Sequence, residues 1–151
     1  MNSLRDLFGN YVLNVAILCW LSAQLLKTLL NFLKTRRFNP ERLVGAGGMP
    51  SAHSASVCGV TIALARSQGF VSPLFALSFL MAAIVMYDAM GVRRQAGEHA
   101  RVINMIVRKN KNYVTYMPKD KDGLKEFLGH TPMEVMGGAL LGILIAILLP
   151  M

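Results

Sequence analysis

Residues 11–33 read YVLNVAILCWLSAQLLKTLLNFL, and Lys27 is the only charged residue among them. A helix needs about 20 mainly apolar residues to cross a bilayer. This stretch therefore predicts a transmembrane helix. We expect no cleavable signal peptide, because no small-residue cleavage site follows the apolar run.

Three further apolar stretches follow along the chain, at residues 51–65, 70–87 and 132–151. The first is short and rich in small residues, the second opens with Ser72-Pro73, and the third is interrupted only by Glu134 near its start. Ser-Pro is a helix-start signal. We expect an all-α integral membrane bundle of about four core transmembrane helices, forming one domain over residues 1–151.

The composition supports a membrane protein. Hydrophobic residues make up 54% of the 151 residues and charged residues only 16%, while the mean hydropathy is +0.44. Soluble domains average about 25% charged residues, so an ordinary soluble fold is unexpected and a disordered chain is excluded. The two cysteines, Cys19 and Cys58, lie in apolar runs, which excludes a disulfide scaffold.

One long hydrophilic segment covers residues 93–129. Its first half, 93–110, carries Ala96, Ala100, Ile103 and Val107 on one helical face and mostly charged residues elsewhere. This pattern predicts an amphipathic helix lying in the membrane interface; an ordinary solvated helix is the alternative. Residues 110–123 are polar and predict a loop.

The positive charges are distributed unevenly. Four spans place both termini and residues 66–70 on one side of the membrane and residues 34–48 and 93–129 on the other. Of the 16 Lys and Arg residues, only Arg5 and Arg66 fall on the first side. The positive-inside rule then makes the second side cytoplasmic, in a bacterial-type inner or plasma membrane. The net charge of +8 needs no nucleic acid, and no nucleic-acid-binding motif is present.

Polar residues gather at the predicted cytoplasmic ends of the four helices. They occur at Gln24 and Lys27, in the segment 50–54, in the segment 88–94, and in the segment 130–134. Two helix N-termini with nearby cations favour an anion such as phosphate. One histidine can attack phosphorus while a second protonates the leaving oxygen. The sequence thus contains the groups needed for phosphoryl transfer without a metal.

Three segments carry a family resemblance. GGMPSAHSA (47–55) resembles the Pro-Ser-Gly-His motif of the type-2 phosphatidic acid phosphatase superfamily, and GHTPMEVMGGALLG (129–142) resembles its final motif. With YDAMGVRRQAG (87–97), the chain resembles the divergent small membrane branch, related to acid phosphatases and vanadium-dependent haloperoxidases. This resemblance implies a membrane phosphatase that works without a cofactor.

The resemblance also implies roles for individual residues. His130 would be the nucleophile that forms a phosphohistidine, and His53 the acid that protonates the departing alcohol. Glu134 would replace the usual aspartate that orients the nucleophile. Phosphate oxygens would be held by Lys27 and by the loop at Ser51 and Ala52.

The sequence departs from the family pattern in three places, one of which is the spacing after Lys27, where Arg36 lies nine positions on rather than about seven. Ala52 stands where glycine is usual, and Leu124 occupies the position where an arginine precedes the nucleophile. Arg93 or Arg94 could supply the missing guanidinium, with Asp88 fixing one of them by a salt bridge. Asp88 and Gln24 would then be supporting residues.

Structural roles are alternatives for several of these residues. Thr131-x-x-Glu134 is also a capping box, and Ser51 is also a suitable N-cap. Gly138-x-x-x-Gly142 predicts a close helix contact, either within the protein or across a homo-oligomer. His99 is expected at the surface.

The expected function is hydrolysis of a lipid phosphate monoester or diphosphate, such as phosphatidylglycerol phosphate or phosphatidate. One alternative is a catalytically silent phospholipid-binding or scaffold protein that keeps the fold. Another is a metal-dependent site built from Asp88, Glu98 and His99.

Overall fold

The computed structural model of the protein describes residues 8–36, 48–109, 123–124 and 129–151. These ranges contain five α-helices and no strand, which confirms the all-α fold. The helices are α1 (Tyr11–Thr35), α2 (Ala52–Gln68), α3 (Pro73–Met90), α4 (Val92–Lys109) and α5 (Pro132–Leu148). The predicted spans differ from them by at most a few residues at each end.

Local sequence explains where the helices begin. Asn10, Ser51, Ser72 and Thr131 are N-caps whose side chains accept backbone N–H groups of the first turn, the role for which short polar residues are preferred. Proline also occupies the first turn of α3 and α5, where its missing N–H costs nothing. Gly91 separates α3 from α4.

Two helical runs, Tyr11–Thr35 and Pro73–Lys109, are long and apolar enough to cross a membrane, and Pro132–Leu148 is a shorter apolar helix. Large apolar side chains cover the outer surface of α3; Leu77, for example, is 57% exposed and Phe79 61%. The buried core consists mainly of small residues, including Cys19, Ala23 and Ala55. Apolar side chains outside and small ones inside are what a lipid-embedded bundle requires.

Helix α2 lies at the centre and packs against α1, α3 and α5. Its contact with α5 is close because two glycines of α5 face its backbone. A Cβ at Gly138 would collide with the carbonyl of Ser51, and one at Gly142 with the carbonyl of Ala55. The Gly138-x-x-x-Gly142 motif therefore makes a helix contact within the protein.

One end of the bundle is tied by side-chain hydrogen bonds to helix-end carbonyls. The Tyr11 hydroxyl donates to the carbonyl of Ala146 at 3.0 Å, and the Arg66 guanidinium donates to the Tyr11 hydroxyl at 2.7 Å and to the carbonyls of Ala146 and Leu149. The start of α1 and the ends of α2 and α5 thus meet here, as the predicted threading requires.

The helix predicted over residues 93–110 is α4 (Val92–Lys109), and its inward and outward faces differ in composition. Gly97, Ala100 and Asn104 are buried, whereas Ala96 and Ile103 are exposed. The inward face is set by small or hydrogen-bonding residues that allow close approach. The predicted loop at 110–123 lies, apart from Gly123, outside the described residues.

Candidate active site

A cleft of about 220 Å³ lies at the end of the bundle opposite Arg66. It is lined by residues from α2, α3, the start of α4 and the segment before α5: His53, Ile84, Val85, Asp88, Ala89, Arg93, Gly129 and His130. The structure therefore brings both motif histidines, His53 and His130, into one cavity although they lie far apart along the chain.

His130 is held by its backbone and by its ring. Its N–H donates to the carbonyl of Ala89 at 2.9 Å, and its Nδ1 lies 3.2 Å from Oε2 of Glu134. Its side chain is 4% exposed. With Nδ1 engaged by Glu134, Nε2 is the ring nitrogen left for a ligand.

Glu134 combines the two roles that the sequence left open. Its Oε2 accepts the N–H of Thr131 at 3.0 Å, and the Thr131 hydroxyl accepts the N–H of Glu134, which completes a capping box. The same Oε2 faces His130. Helix capping therefore fixes the carboxylate that orients the histidine.

Burial lowers the pKa of His130 below its ordinary value of 6.5. The charges of Lys27 and His53 act in the same direction, while the hydrogen bond and negative charge of Glu134 oppose them. The neutral imidazole is therefore favoured at neutral pH. Neutral imidazole is the form that can act as a nucleophile.

Lys27 is 3% exposed on α1 and interacts electrostatically with both His53 and His130. Lys27 is not among the residues that line the cleft, but its positive charge acts on both rings. Gln24 lies one turn earlier and is also buried. Its Oε1 is a buried acceptor without a hydrogen-bond partner among the residues that the structure describes.

The two candidate arginines are separated by the structure. Arg93 lines the cleft, and its Nε donates to Oδ2 of Asp88 at 2.6 Å. Arg94 is exposed and does not line the cleft. The Asp88 bond uses Nε of Arg93, so the two terminal nitrogens of its guanidinium can face an anion.

Ser51 and Ala52 do not line the cleft. Ser51 is fully buried; its N–H donates to the carbonyl of Glu134 at 2.9 Å, and its hydroxyl oxygen accepts from the hydroxyl of Ser54 at 3.0 Å. Ser51 is thus the N-cap of α2 and joins α2 to α5. Its phosphate-binding role stays a prediction.

The metal-site alternative fails on geometry. Within the described ranges, no group of three or more histidine, cysteine or acidic side chains is placed to hold a metal ion. Asp88 is paired with Arg93, and Glu98 and His99 are exposed on α4. Gly91, at the end of α3, separates Asp88 from Glu98 and His99.

Sequence reasoning missed the apolar wall and the glycine next to His130. The apolar wall consists of Ile84, Val85 and Ala89. All three lie within about one helical turn of Asp88 on α3, and this closeness in sequence could have predicted that they line the same cleft. Gly129 has φ +82°, and a Cβ there would collide with the backbone of Arg93 and Arg94. Its contact fixes His130 against the α3–α4 junction.

Comparison with known proteins identifies the family. A family model described as "Divergent PAP2 family" matches residues 8–145. The chain is 39% identical over 152 residues to a Bacillus subtilis (strain 168) protein named "Uncharacterized membrane protein YuiD", covering 95% of this chain and 96% of that one. No solved structure matches. The chain therefore belongs to the Divergent PAP2 family.

Proposed function

We propose that the protein is a metal-independent membrane phosphatase that hydrolyses a lipid phosphate monoester or diphosphate through a phosphohistidine at His130. The observation that carries the proposal is the placement of His53 and His130 in one cleft, with the Nδ1 of His130 engaged by Glu134. Lys27 and Arg93 supply positive charge around the same space. Family membership supports phosphatase-related chemistry.

In the first step, the lone pair on Nε2 of His130 attacks phosphorus, and the bond from phosphorus to the lipid oxygen breaks. His53 donates a ring proton to that oxygen, which leaves as an alcohol. A phosphate dianion beside His53 favours its protonated form before the step. Glu134 stabilises the positive charge that develops on the His130 ring.

In the second step, water attacks phosphorus and His53 accepts one of its protons. The phosphorus–nitrogen bond breaks, and its electron pair returns to Nε2 of His130. Inorganic phosphate is released, and both histidines regain their starting states. Throughout, the terminal nitrogens of Arg93 and the ammonium of Lys27 neutralise charge on the phosphoryl oxygens.

The cleft wall supports a lipid substrate. Ile84 lines the cleft and is 53% exposed on α3, so the apolar wall continues onto the outer surface of the bundle. A headgroup among Lys27, Arg93 and the histidines leaves the lipid chains beside this wall. Phosphatidylglycerol phosphate and phosphatidate fit that division.

The test is phosphate release by the purified protein from vesicles containing phosphatidate or phosphatidylglycerol phosphate. We expect release that survives a chelator and is inhibited by vanadate. His130→Ala should abolish turnover and the acid-labile phosphoenzyme. His53→Ala should slow hydrolysis most for substrates with poor leaving groups.

His99→Ala is the matched control, because His99 is an exposed histidine on α4 outside the cleft; it should retain full activity. Vesicle binding without phosphate release would instead support a catalytically silent phospholipid-binding protein. Full activity of His130→Ala would overturn the histidine assignment.

We also propose that the cleft faces the cytoplasm and that the exposed apolar side chains of α4, such as Ile103 and Ile106, contact the membrane surface. Cysteines placed at Arg108 and Ser67, both exposed and at opposite ends of the bundle, test the orientation. An impermeant reagent on intact cells should label the Ser67 position only. The native cysteines are buried, so the wild-type protein is the unlabelled control.

A further inference from the structure

The start of α2 is bonded directly to the start of α5. The N–H of Ser51 donates to the carbonyl of Glu134 at 2.9 Å. Gly138, one turn further along α5, leaves no room for a Cβ beside the carbonyl of Ser51. Ser51 is fully buried at this junction. One polar and one steric contact therefore fix where α2 begins relative to α5.

The side chain of Ser51 holds the first turn of α2. Its Oγ accepts the N–H of Ser54 at 3.4 Å and the hydroxyl of Ser54 at 3.0 Å, while its carbonyl accepts the N–H of Ala55 at 3.0 Å. His53 lies inside this turn. An N-cap satisfies backbone donors that the helix itself leaves unpaired. Without the cap, the turn that carries His53 would be free to fray.

These contacts form a continuous path between the two histidines of the cleft. Nδ1 of His130 lies 3.2 Å from Oε2 of Glu134. The carbonyl of Glu134 accepts the N–H of Ser51, and Ser51 caps the turn that contains His53. Every residue of this path lies within the described ranges. Ser51 thus stands between the group that orients the nucleophile and the helix that carries the acid.

We propose that Ser51 is a positioning residue that sets the spacing of His53 and His130, so that the acid reaches the leaving oxygen of a phosphoryl group attacked by His130. This inference rests on the proposed function. Ser51 does not line the cleft and acts through the start of α2. A displacement of about 1 Å at a reacting group can slow a reaction about 100-fold. Positioning differs from the phosphate binding that the family resemblance implies for this serine, and the two roles have different kinetic consequences.

The test compares Ser51→Ala with wild type on two soluble phosphate monoesters, p-nitrophenyl phosphate and octyl phosphate. Nitrophenolate leaves readily without a proton, whereas octanol needs the proton of His53. We expect kcat/KM to fall about 10- to 100-fold for octyl phosphate and clearly less for p-nitrophenyl phosphate. In a His53→Ala background, Ser51→Ala should cause no further loss, because the acid that it positions is gone.

Ser72→Ala is the matched control. Ser72 caps α3 as Ser51 caps α2, with its side chain accepting the N–H of Leu74 at 3.2 Å. It lies near Arg66, at the end of the bundle opposite the cleft. Ser72→Ala therefore removes the same kind of cap and should leave kcat/KM unchanged for both monoesters.

Gly138→Ala tests the same spacing from the side of α5 and keeps the experiment decisive if Ser51→Ala does not fold. Its new methyl group would press on the carbonyl of Ser51, and that of Gly142→Ala would press in the same way on the carbonyl of Ala55, one turn deeper in the bundle. Both substitutions should lower the thermal midpoint. Only Gly138→Ala should show the loss that depends on the leaving group.

A second readout needs no enzymatic activity. His53→Cys and His130→Cys are combined in a chain whose two native cysteines are changed to serine, and a short bifunctional thiol reagent links the pair across the cleft. The bond from Ser51 to Glu134 is made by the backbone, so these changes leave its donor and acceptor in place. We expect crosslinking to slow several-fold when Ser51→Ala is added and to stay unchanged when Ser72→Ala is added.

The outcomes separate the two proposals. Slower crosslinking with Ser51→Ala, in a protein that hydrolyses neither the monoesters nor a lipid phosphate, would retain the positioning role and overturn the proposed function. An active protein with unchanged crosslinking would do the reverse. Equal losses for the two monoesters that persist in His53→Ala are expected of a phosphate-binding serine, and they would also overturn the inference. Unchanged crosslinking in an inactive protein would overturn both.

Discussion

One oxygen of Glu134 serves both the helix and the histidine. Oε2 lies 3.2 Å from Nδ1 of His130 and accepts the N–H of Thr131 at 3.0 Å. The carboxylate is thereby held by the first turn of α5 before any ligand arrives. Preorganised groups of this kind need no rearrangement during reaction.

The first prediction separates these two roles of Glu134. Glu134→Ala should lower kcat about 100-fold or more, because the ring loses its orienting partner. The fall in kcat should be smaller in Glu134→Gln, since an amide oxygen can still accept the hydrogen bonds from Thr131 and His130. Thr131→Ala is the control: it should cost about 1 kcal/mol of stability through the lost cap and leave kcat unchanged. Equal kcat losses in all three variants would mean that only capping matters.

The second prediction concerns pH. Burial lowers the pKa of His130 below 6.5, and the nucleophile has to be neutral. The rate should therefore fall as the pH drops through this pKa, with an acid midpoint below 6.5 in kcat/KM, while loss of the proton that His53 donates should give a separate alkaline limb.

Lys27→Met supplies the check on the acid limb. Removal of the ammonium removes one cause of the lowered pKa of His130, so the acid midpoint should move upward even though overall activity falls. A midpoint above 6.5 in wild type, or no upward movement in Lys27→Met, would contradict the assignment.

The third prediction compares two neighbouring arginines. Arg93→Lys should reduce turnover about 100-fold, since one preorganised donor is worth roughly 3 kcal/mol and lysine cannot bond Asp88 and phosphate as a planar fork. Arg94→Lys keeps the same charge outside the cleft and should be nearly silent. Asp88→Asn should give an intermediate loss with a normal thermal midpoint. Equal, near-normal turnover of both lysine variants would remove Arg93 from the site.

The fourth prediction concerns the contact between α2 and α5. Gly142→Ala should destabilise the fold by about 1–3 kcal/mol, because the new methyl group would meet the carbonyl of Ala55. Gly137→Ala is the control on the same helix, where the nearest atom is the flexible end of Met49 at 3.1 Å. Thermal unfolding in detergent measures both. A midpoint lowered equally by the two substitutions would argue against a specific close contact.

The helices were predictable because their signals are local. Apolar runs and polar caps such as Ser72 and Thr131 depend on neighbours in the chain. The clustering of Lys27, His53 and His130 was predictable because the four-span topology puts their helix ends at the same side of the membrane. The choice between Arg93 and Arg94 did not follow, because it depends on how the chain turns at Gly91. The residues of α4 that pack against the bundle were not predicted, since Gly97 and Asn104 are small or polar and give no apolar signal.

The central position of α2 has a consequence for biogenesis. At 17 residues, and with Ser54 and Thr61 buried in it, α2 is not among the helices long and apolar enough to span a membrane by themselves. The hydroxyls of these two residues bond within the helix and to its N-cap, but the small-residue surface of α2 is covered only when neighbours pack on it, and the α5 backbone that meets Ala55 is synthesised after α2, α3 and α4. We therefore expect α2 to depend on α1 for its retention in the membrane when it leaves the translocon. Its stable integration is completed when α5 packs against it.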